Sequence, residues 1–419
     1  MPRVLVVGMA LLLTAAGAAR GDVVRLLDDP REALQARVDL IQQAESEIQA
    51  VYFLARNDRV TLTALALLRD AQRRGVRSRL VVDAAFHHIP TAVLAHLRDE
   101  GVEVREYHPL TPRHPTWLLR RMHEKLVVVD GARYITGGRN LAEGYFGLAK
   151  KNYVDRDVYV EGASALDADD HFEELWSSGE VADLRPYAHE ARKKEAAQRL
   201  DAILEELCRG GGFVTLHTGH DWSEGHKDVA SVRFLHDPVG PAKGPRVGAR
   251  LAELVEAAQS SIVIESPYLV PSKSLLALLE KKRAEGVQIR ILTNSLRSTD
   301  GVLPFAGYLR YRRRLIRAGI DIREYKGPDV LHAKSAVIDG RFVLIGSYNL
   351  DRRSQNLDAE AICVAEDEAL ARQLLESIGE RVENAWNVAE RRRRERVPRT
   401  RSFGVWAVRP LALLIEGQL

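Results

Sequence analysis

Two motifs in this sequence combine a histidine, a lysine and an aspartate at one fixed spacing. They are MHEKLVVVD at 122–130 and LHAKSAVID at 331–339, in which the lysine follows the histidine by two residues and the aspartate follows the lysine by five. An imidazole can act as a nucleophile or carry a proton near neutral pH, and a lysine can neutralise a phosphate oxygen. The motifs therefore indicate phosphoryl-transfer chemistry. The predicted catalytic residues are His123, Lys125, Asp130, His332, Lys334 and Asp339.

The similarity between the two halves of the chain extends beyond the motifs. Upstream of them, GVEVREY at 101–107 corresponds to GIDIREY at 319–325, and RRGVRSRLVVD at 73–83 corresponds to AEGVQIRILTN at 284–294. Apolar strands alternate with helices that end at a glycine, which predicts an α/β fold with a largely parallel sheet covered on both faces. We predict two pseudo-symmetric α/β/α sandwich halves packed around one shared active site.

Each motif ends in a turn signal. Asp130-Gly131 and Asp339-Gly340 are dipeptides that favour tight hairpin turns, so each motif strand should reverse into an antiparallel partner. We expect the two aspartates to set the turn and the local charge rather than to touch a substrate.

Small and amide-bearing residues follow each hairpin at the same distance from its histidine. Gly138 and Asn140 occupy these positions in the first half, and Ser347 and Asn349 occupy them in the second. Glycine lets a ligand approach the backbone closely, and the polar side chains can donate hydrogen bonds to an oxyanion. We predict that these four residues bind phosphate.

A nucleophilic imidazole needs an acceptor on its second nitrogen to hold it in one tautomer. Asp157 in VDRDVYV and Glu360 in LDAEAICV lie at matching places on the next apolar strand of each half. We predict that they orient the histidines, with Asp155 as the alternative to Asp157.

The paired motifs, together with GGRNLAEGYFG at 137–147 and GSYNLDRRS at 346–354, resemble the phospholipase D superfamily. The stretches ESPYLVPSKS at 265–274 and AGYLRYRRRLIRAGI at 306–320 are similar to bacterial cardiolipin synthases and their paralogues. The similarity covers residues from about 35 to 365.

This resemblance implies one active site in which one motif histidine is the nucleophile, the other is the general acid and base, and both lysines bind phosphate. The family pattern favours His123 as the nucleophile, although the pseudo-twofold symmetry makes the assignment reversible. No metal and no cofactor are implied. The stretches 52–61 and 81–90 depart from the family pattern, at positions expected to shape the acceptor side of the pocket.

The N-terminal segment predicts export. Residues 1–20 combine one early arginine, an apolar run and an Ala16-Gly17-Ala18 cleavage pattern, which is typical of a signal peptide; an uncleaved anchor is the alternative. We therefore expect a periplasmic protein, or one on the outer face of a membrane. The predicted division is a signal at 1–20, a first half at 21–190, a connector at 191–245 and a second half at 246–419.

Basic and aromatic residues cluster in three places: TWLLRRMH at 116–123, LRYRRRLIR at 309–317, and the arginine-rich run from Arg391 to Arg401 with Phe403 and Trp406. Such patches suit an anionic membrane surface, whereas solvated faces or nucleic-acid binding explain them equally well. His217, His220 and His226 lie in a glycine-rich stretch without cysteine partners, and we interpret them as loop residues rather than as a zinc site.

The leading hypothesis is a phosphatidyltransferase or phospholipase D acting on a glycerophospholipid through a phosphohistidine, with phosphatidylglycerol as donor and acceptor in a cardiolipin synthase-like reaction. An exported nuclease that uses the same site on nucleic-acid phosphodiesters is the alternative enzyme. A membrane-binding protein with a vestigial site is disfavoured, because both motifs retain every catalytic residue type.

Overall fold

Two β-sheets, one from each half of the chain, organise the structure. The computed structural model describes residues 21–109, 119–210, 212–240, 246–390, 401 and 403–408. The predicted signal peptide at 1–20, Trp117 and most of the arginine-rich run lie outside these residues. Among the described helices, none combines the length and apolar character needed to cross a bilayer.

In the first half, the described residues form ten strands and five α-helices. They are β1 (Asp22–Leu27), α1 (Pro30–Gln42), β2 (Glu47–Tyr52), α2 (Arg59–Arg73), β3 (Arg77–Asp83), α3 (Thr91–Asp99), β4 (Glu103–Tyr107), β5 (Lys125–Val129), β6 (Arg133–Gly137), β7 (Tyr153–Val154), β8 (Asp157–Glu161), α4 (Ala165–Ser177), β9 (Val181–Asp183), α5 (Glu190–Cys208) and β10 (His226–Val229).

In the second half, the described residues form nine strands and five α-helices in a similar order. They are β11 (Ser231–His236), α6 (Val247–Ala257), β12 (Ser261–Glu265), α7 (Lys273–Ala284), β13 (Gln288–Asn294), α8 (Val302–Arg317), β14 (Asp321–Tyr325), β15 (Val330–Leu331), β16 (Ser335–Ile338), β17 (Phe342–Gly346), α9 (Arg352–Asn356), β18 (Ala361–Glu366), α10 (Glu368–Glu383) and β19 (Ala385–Asn387).

The prediction of two α/β halves is confirmed, but the prediction of a largely parallel sheet is wrong. The strand order is β10-β1-β8-β6-β5-β2-β3-β4-β9 in one sheet and β11-β18-β17-β16-β12-β13-β14-β19 in the other. Only the β2-β3-β4 and β12-β13-β14 runs are parallel, and the other pairings in these two sheets are antiparallel. The reason is that the motif strands form antiparallel hairpins with β6 and β17, and these hairpins lie in the sheets between the strands that α1 and α6 connect.

Glycines end the helices that precede the parallel strands. Gly75, Gly101, Gly286 and Gly319 follow α2, α3, α7 and α8, each with a positive φ between 78° and 97°. A residue with a Cβ is strained in this region, so the glycines allow the chain to leave the helix and enter the next strand within two or three residues.

Three apolar layers separate the sheets and helices. One face of the first sheet packs on α1, α2, α3 and α5, and one face of the second packs on α6, α7 and α8. The inner faces of both sheets share a central layer with α4 and α10, in which Val128 and Phe172 join Val343 and Leu374. Because this layer belongs to both halves, burying it fixes how the halves dock.

The predicted connector at 191–245 is not a separate unit. Helix α5 packs its Leu200 side against α2 and α3 of the first half, and β10 pairs with β1 at the edge of the first sheet. Strand β11 then pairs along its whole length with β18 of the second sheet. The crossing between the halves therefore lies between β10 and β11, at residue 230.

A buried ionic network also joins the halves. Arg156, which is fully buried, contacts Glu265 and donates to Ser335 Oγ over 2.7 Å. Arg381 donates to Glu265 Oε1 over 3.0 Å and also contacts Asp28. The desolvation cost of these charges is offset only while both halves are docked, since each half supplies partners for the other.

Candidate active site

The motif histidines and lysines lie at the ends of β5 and β16, where the two sheets meet. His123 and His332 are 8% and 5% exposed, and Lys125 and Lys334 are 1% and 4% exposed. Each lysine ammonium turns back to donate to the backbone carbonyl of the histidine in its own motif. The strand backbone therefore presents each histidine and lysine as one unit at the sheet edge.

Each histidine is held by a carboxylate from the opposite half. Nδ1 of His123 lies 3.1 Å from Oε2 of Glu360, and Nδ1 of His332 lies 2.6 Å from Oδ2 of Asp155. Because a carboxylate accepts the Nδ1 proton, Nε2 of each ring is the nitrogen that can face a substrate, and in His332 it also lies 3.1 Å from Nζ of Lys334. The four residues form one composite site that neither half can build alone.

Backbone hydrogen bonds also join each motif histidine to the opposite half. The amide of His123 donates to the carbonyl of Ala359 over 2.8 Å, and the amide of His332 donates to the carbonyl of Val154 over 2.7 Å. Around these bonds, β7 pairs in parallel with β15, and Met122 forms a parallel bridge with Ala359. The two halves are thus registered against each other beside the catalytic groups.

The prediction that Asp157 orients a histidine is wrong, and its alternative Asp155 makes that contact. Asp157 is fully buried on β8, where it accepts from Arg37 over 2.8 Å and from Arg139 over 3.2 Å. Asp155 and Glu360 both precede their strands, which begin at 157 and 361, so they are the true equivalents. Asp157 anchors α1 and the segment after β6 instead.

Two of the predicted phosphate-binding residues contact the orienting carboxylates. Ser347 Oγ donates to Glu360 and accepts from the Ala361 amide over 3.0 Å. At the equivalent position in the first half, a Cβ on Gly138 would lie 2.1 Å from Oδ1 of Asp155. Ser347 therefore braces Glu360, whereas Gly138 leaves the space that Asp155 fills.

The two predicted asparagines have different surroundings. Asn140 accepts from the Leu54 amide over 3.3 Å and donates to the Tyr145 hydroxyl over 2.9 Å, so its amide is engaged. Oδ1 of Asn349 is buried and has no hydrogen-bond partner among the described residues. Asn349 therefore retains hydrogen-bonding capacity for a ligand, and Asn140 serves chiefly to place a tyrosine beside the site.

Asp130 and Asp339, which were counted with the catalytic residues, lie at the far ends of their strands. Oδ1 of Asp130 accepts from the Ser46 and Glu47 amides at 2.8 and 3.0 Å, and Oδ1 of Asp339 accepts from the Ser260 and Ser261 amides at 2.7 and 3.0 Å. These backbone donors outweigh the effect of burial and lower the pKa of both carboxyls. As expected from the Asp-Gly turns, both aspartates organise turns and are not catalytic residues.

Burial of several cations in one site lowers their proton affinity. Burial, and then the charge of Lys334, lower the pKa of Lys125 to about 7. Burial and the two lysines hold the pKa of His123 well below its usual value. A site with this excess of poorly solvated positive charge favours an anion such as a phosphodiester.

The two orienting carboxylates differ in charge state. Burial opposes ionisation of Asp155, but Lys334 and His332 outweigh it and lower the pKa of its carboxyl to about 2. Burial raises the pKa of Glu360 to about 7 despite the nearby Lys125. A full negative charge therefore stands beside His332, and a weaker one beside His123, so His332 is the better placed to hold a proton.

A polar cleft of about 550 Å³ opens beside His332. The rings of Tyr145 and Tyr153 stand edge-on to the His332 ring with centroids at 5.2 and 5.4 Å, and both tyrosines line the cleft. Arg56 and His88, from the two stretches expected to shape the acceptor side, also line it.

Sequence reasoning missed three side chains that complete the site. Ser354 donates to Oε1 of Glu360 over 2.6 Å, and the Phe53 ring lies 5.0 Å from the His123 ring and 5.1 Å from the Lys125 ammonium. Tyr145 was quoted only as part of a longer motif. Ser354 could have been found from the sequence, because it lies in the repeated segment after β17. Phe53 could not, because its neighbours in the site are distant in sequence.

His217 and His220 do not belong to a group of metal ligands in the described part of the chain. His217 is exposed beside Gln42, and its amide donates to that side chain over 2.8 Å. The interpretation of this trio as loop residues therefore agrees with its placement, except that His226 begins β10.

Comparison with known families identifies both halves. Residues 38–176 and 251–382 match the family model described as "Cardiolipin synthase, PLD-like domain". The matched segments include both motifs, the two orienting carboxylates Asp155 and Glu360, and the strands next to them.

Individual relatives give the same picture. The chain is 30% identical to cardiolipin synthase C of Escherichia coli (strain K12), over 86% of this chain and 85% of that protein. It is 26% identical to cardiolipin synthase A of Pseudomonas syringae pv. syringae, over 84% of this chain and 66% of that protein. The crystal structure of phosphatidylserine synthase from Haemophilus influenzae Rd KW20 superimposes with a TM-score of 0.73 over 95% of each chain at 18% identity, which shows a shared fold.

Replacing Asp155 and Asp157 separately distinguishes orientation from stability. We expect Asp155→Asn to lower kcat on a phosphodiester by about 100- to 10,000-fold with little change in melting temperature, because it removes the carboxylate that fixes His332. Asp157→Asn should instead lower the melting temperature, because it weakens the buried contacts with Arg37 and Arg139. Steady-state kinetics and thermal unfolding of both variants check this, and an unchanged kcat in Asp155→Asn would contradict the assignment.

Proposed function

The chain belongs to the cardiolipin synthase family of phospholipase D-like proteins, and on that premise we propose that it is a phosphatidyltransferase working through a phosphohistidine. The donor we propose is phosphatidylglycerol, and the acceptor is the hydroxyl of a second phosphatidylglycerol. The observation that carries the proposal is the pair of buried histidines, each with Nδ1 held by a carboxylate from the opposite half.

In the first step, Nε2 of His123 attacks the donor phosphorus. A P–N bond forms, the P–O bond to the glycerol headgroup breaks, and Nε2–H of His332 supplies the proton that releases free glycerol. Lys125 and Lys334 stand beside the two rings, where their charge stabilises the negative charge that develops on the phosphoryl oxygens. The product is phosphatidyl-His123 and a neutral His332.

In the second step, the acceptor hydroxyl attacks the same phosphorus. His332 removes its proton, a P–O bond forms and the P–N bond to His123 breaks, which regenerates both histidines. The sum is two phosphatidylglycerols converted to cardiolipin and glycerol, without change in oxidation state. Water in place of the lipid hydroxyl gives phosphatidic acid by the same route.

The surroundings of the two rings support His123 as the nucleophile. A nucleophile must be unprotonated, and burial with two neighbouring lysines keeps the His123 imidazole neutral at pH 7. The general acid must carry a proton. Burial and Lys334 lower the pKa of His332, but the anionic Asp155 opposes them, so His332 holds a proton more readily than His123, whose pKa is held well below its usual value. This division of roles follows from the difference between Asp155 and Glu360.

An apolar cavity favours a lipid over a nucleic acid. It has a volume of about 160 Å³ in the second half, and Lys334 is among the residues that line it. Most of the remaining lining is aliphatic and includes Leu251, Leu275 and Leu278. Hydrocarbon gains from burial in such a space, whereas a nucleotide would lose hydration without replacement hydrogen bonds.

Exposed apolar side chains support action at a membrane surface. Leu119, four residues before His123, is 42% exposed, and Phe403 and Trp406 are 65% and 68% exposed. We propose that these residues contact the lipid interface and that the protein acts as a peripheral enzyme on the outer face of a bacterial membrane, in keeping with the expected signal at 1–20.

The products formed from phosphatidylglycerol vesicles test the proposal. We expect cardiolipin and free glycerol by mass spectrometry, and neither product with His123→Ala. The matched control is His217→Ala, which changes an exposed loop histidine and should leave both products. Phosphatidic acid alone would make water the acceptor, whereas no lipid product together with cleavage of naked DNA would replace the proposal with the nuclease alternative.

The pH dependence of kcat/KM should have an alkaline limb set by Lys125. The pKa of about 7 means that the free enzyme loses this positive charge as the pH rises through 7, and with it phosphate binding. Since arginine stays charged, Lys125→Arg should move that limb upward by more than one pH unit even if its maximum rate is lower. An alkaline limb at the same pH in Lys125→Arg would contradict this role.

A further inference from the structure

A second cluster of chemically competent side chains lies at the junction between the halves. His171 and Glu174 are one helical turn apart on α4 of the first half, and His236 ends β11 of the second half. The nitrogen or oxygen atoms that the three side chains offer lie within 4.8 Å of one another. None of these residues takes part in the mechanism above.

His171 and His236 each have one ring nitrogen bonded to an acceptor, which leaves the lone pair of the other ring nitrogen available. Nε2 of His171 lies 2.8 Å from the Glu124 carboxylate, and Nδ1 of His236 lies 3.0 Å from the carbonyl of Asp237. Both partners accept, so these nitrogens carry the protons and Nδ1 of His171 and Nε2 of His236 are unprotonated. A metal-binding histidine usually binds the ion through one ring nitrogen, while its other ring nitrogen donates to a carboxylate.

The buried nitrogen of His171 needs a partner. His171 is 2% exposed, and its Nδ1 is buried without a hydrogen bond among the described residues. The ring instead packs against that of His236, with centroids 4.0 Å apart and planes 31° apart. Leaving such a buried group without a hydrogen bond is destabilising, so packing alone accounts poorly for this polar pair in an otherwise apolar layer.

We propose that His171, His236 and Glu174 bind one divalent transition-metal ion of the zinc class. Two imidazoles and one carboxylate suit Zn²⁺, whereas Ca²⁺ and Mg²⁺ prefer sites made only of oxygen ligands. Tetrahedral coordination places neighbouring ligand atoms about 3.3 Å apart. The Glu174 side chain is exposed, which lets it make that approach, and water would supply the fourth ligand of the proposed site.

The site would connect the halves next to the catalytic motif. Its ligands come from α4 of the first half and β11 of the second, so bound metal cross-links the two halves. Glu124, which accepts from His171, lies in the chain between His123 and Lys125. The ion therefore has a structural role in docking the halves and is separate from the phosphoryl chemistry, for which no metal is implied.

The test uses the full-length chain without an affinity tag, stripped with a chelator and titrated with Zn²⁺ and then with Co²⁺. We expect one bound Zn²⁺ per chain by elemental analysis, a higher melting temperature with Zn²⁺, and the intense visible absorption of four-coordinate Co²⁺. His236→Gln should remove the Co²⁺ spectrum, and Glu174→Gln, a change at an exposed position, should weaken Zn²⁺ binding by at least about tenfold.

His217→Gln is the matched control, because it changes an exposed histidine outside the cluster and should bind as the wild type does. Retention of the wild-type affinity and spectrum in both His236→Gln and Glu174→Gln would overturn the proposal. Failure of the wild-type chain to bind near one equivalent of Zn²⁺ would overturn it as well. Neither result depends on which phosphodiester the enzyme cleaves.

Discussion

The exchange of carboxylates between the halves is the constraint on which the rest of the structure depends. Each motif histidine is buried with an acid from the opposite half, so neither half can position its own imidazole. The shared apolar layer and the network around Arg156 and Glu265 hold the halves in the single arrangement that satisfies both pairs.

The same burial prepares the site for its substrate. Two lysines and two histidines occupy a region with little solvent, which lowers their proton affinity and leaves positive charge that water does not neutralise. A bound phosphodiester supplies the missing negative charge and strengthens each contact in a low local dielectric. The difference between the anionic Asp155 and the higher-pKa Glu360 then breaks the symmetry of two nearly identical halves, so that one ring can stay neutral while the other carries a proton.

The sequence predicts the parts of this arrangement that are repeated locally. The motif spacing identifies both histidines and lysines, Asp-Gly predicts both hairpins, and the glycines after helices mark the entry into parallel strands. Long-range features are not predicted from local patterns. Strands β10 and β11 divide the expected connector between two sheets. The local pattern favours Asp157 over Asp155 as the residue that orients a histidine, because a strand pattern cannot show which carboxylate faces the other half. His171 and His236 meet only because α4 and β11 pack across the junction, so their spacing gave no signal.

We propose that both halves build one site in which Nε2 of His123 carries the phosphatidyl group. The most direct test is to mix the enzyme briefly with phosphatidylglycerol, quench in alkali, where a phosphohistidine survives, and map the adduct by peptide mass spectrometry. We expect a phosphatidyl group on the peptide that contains His123. We also expect that this adduct is lost when Glu360 is replaced by glutamine, although Glu360 belongs to the other half. An adduct found only on the His332 peptide, or one on His123 that is unaffected by Glu360→Gln, would contradict it.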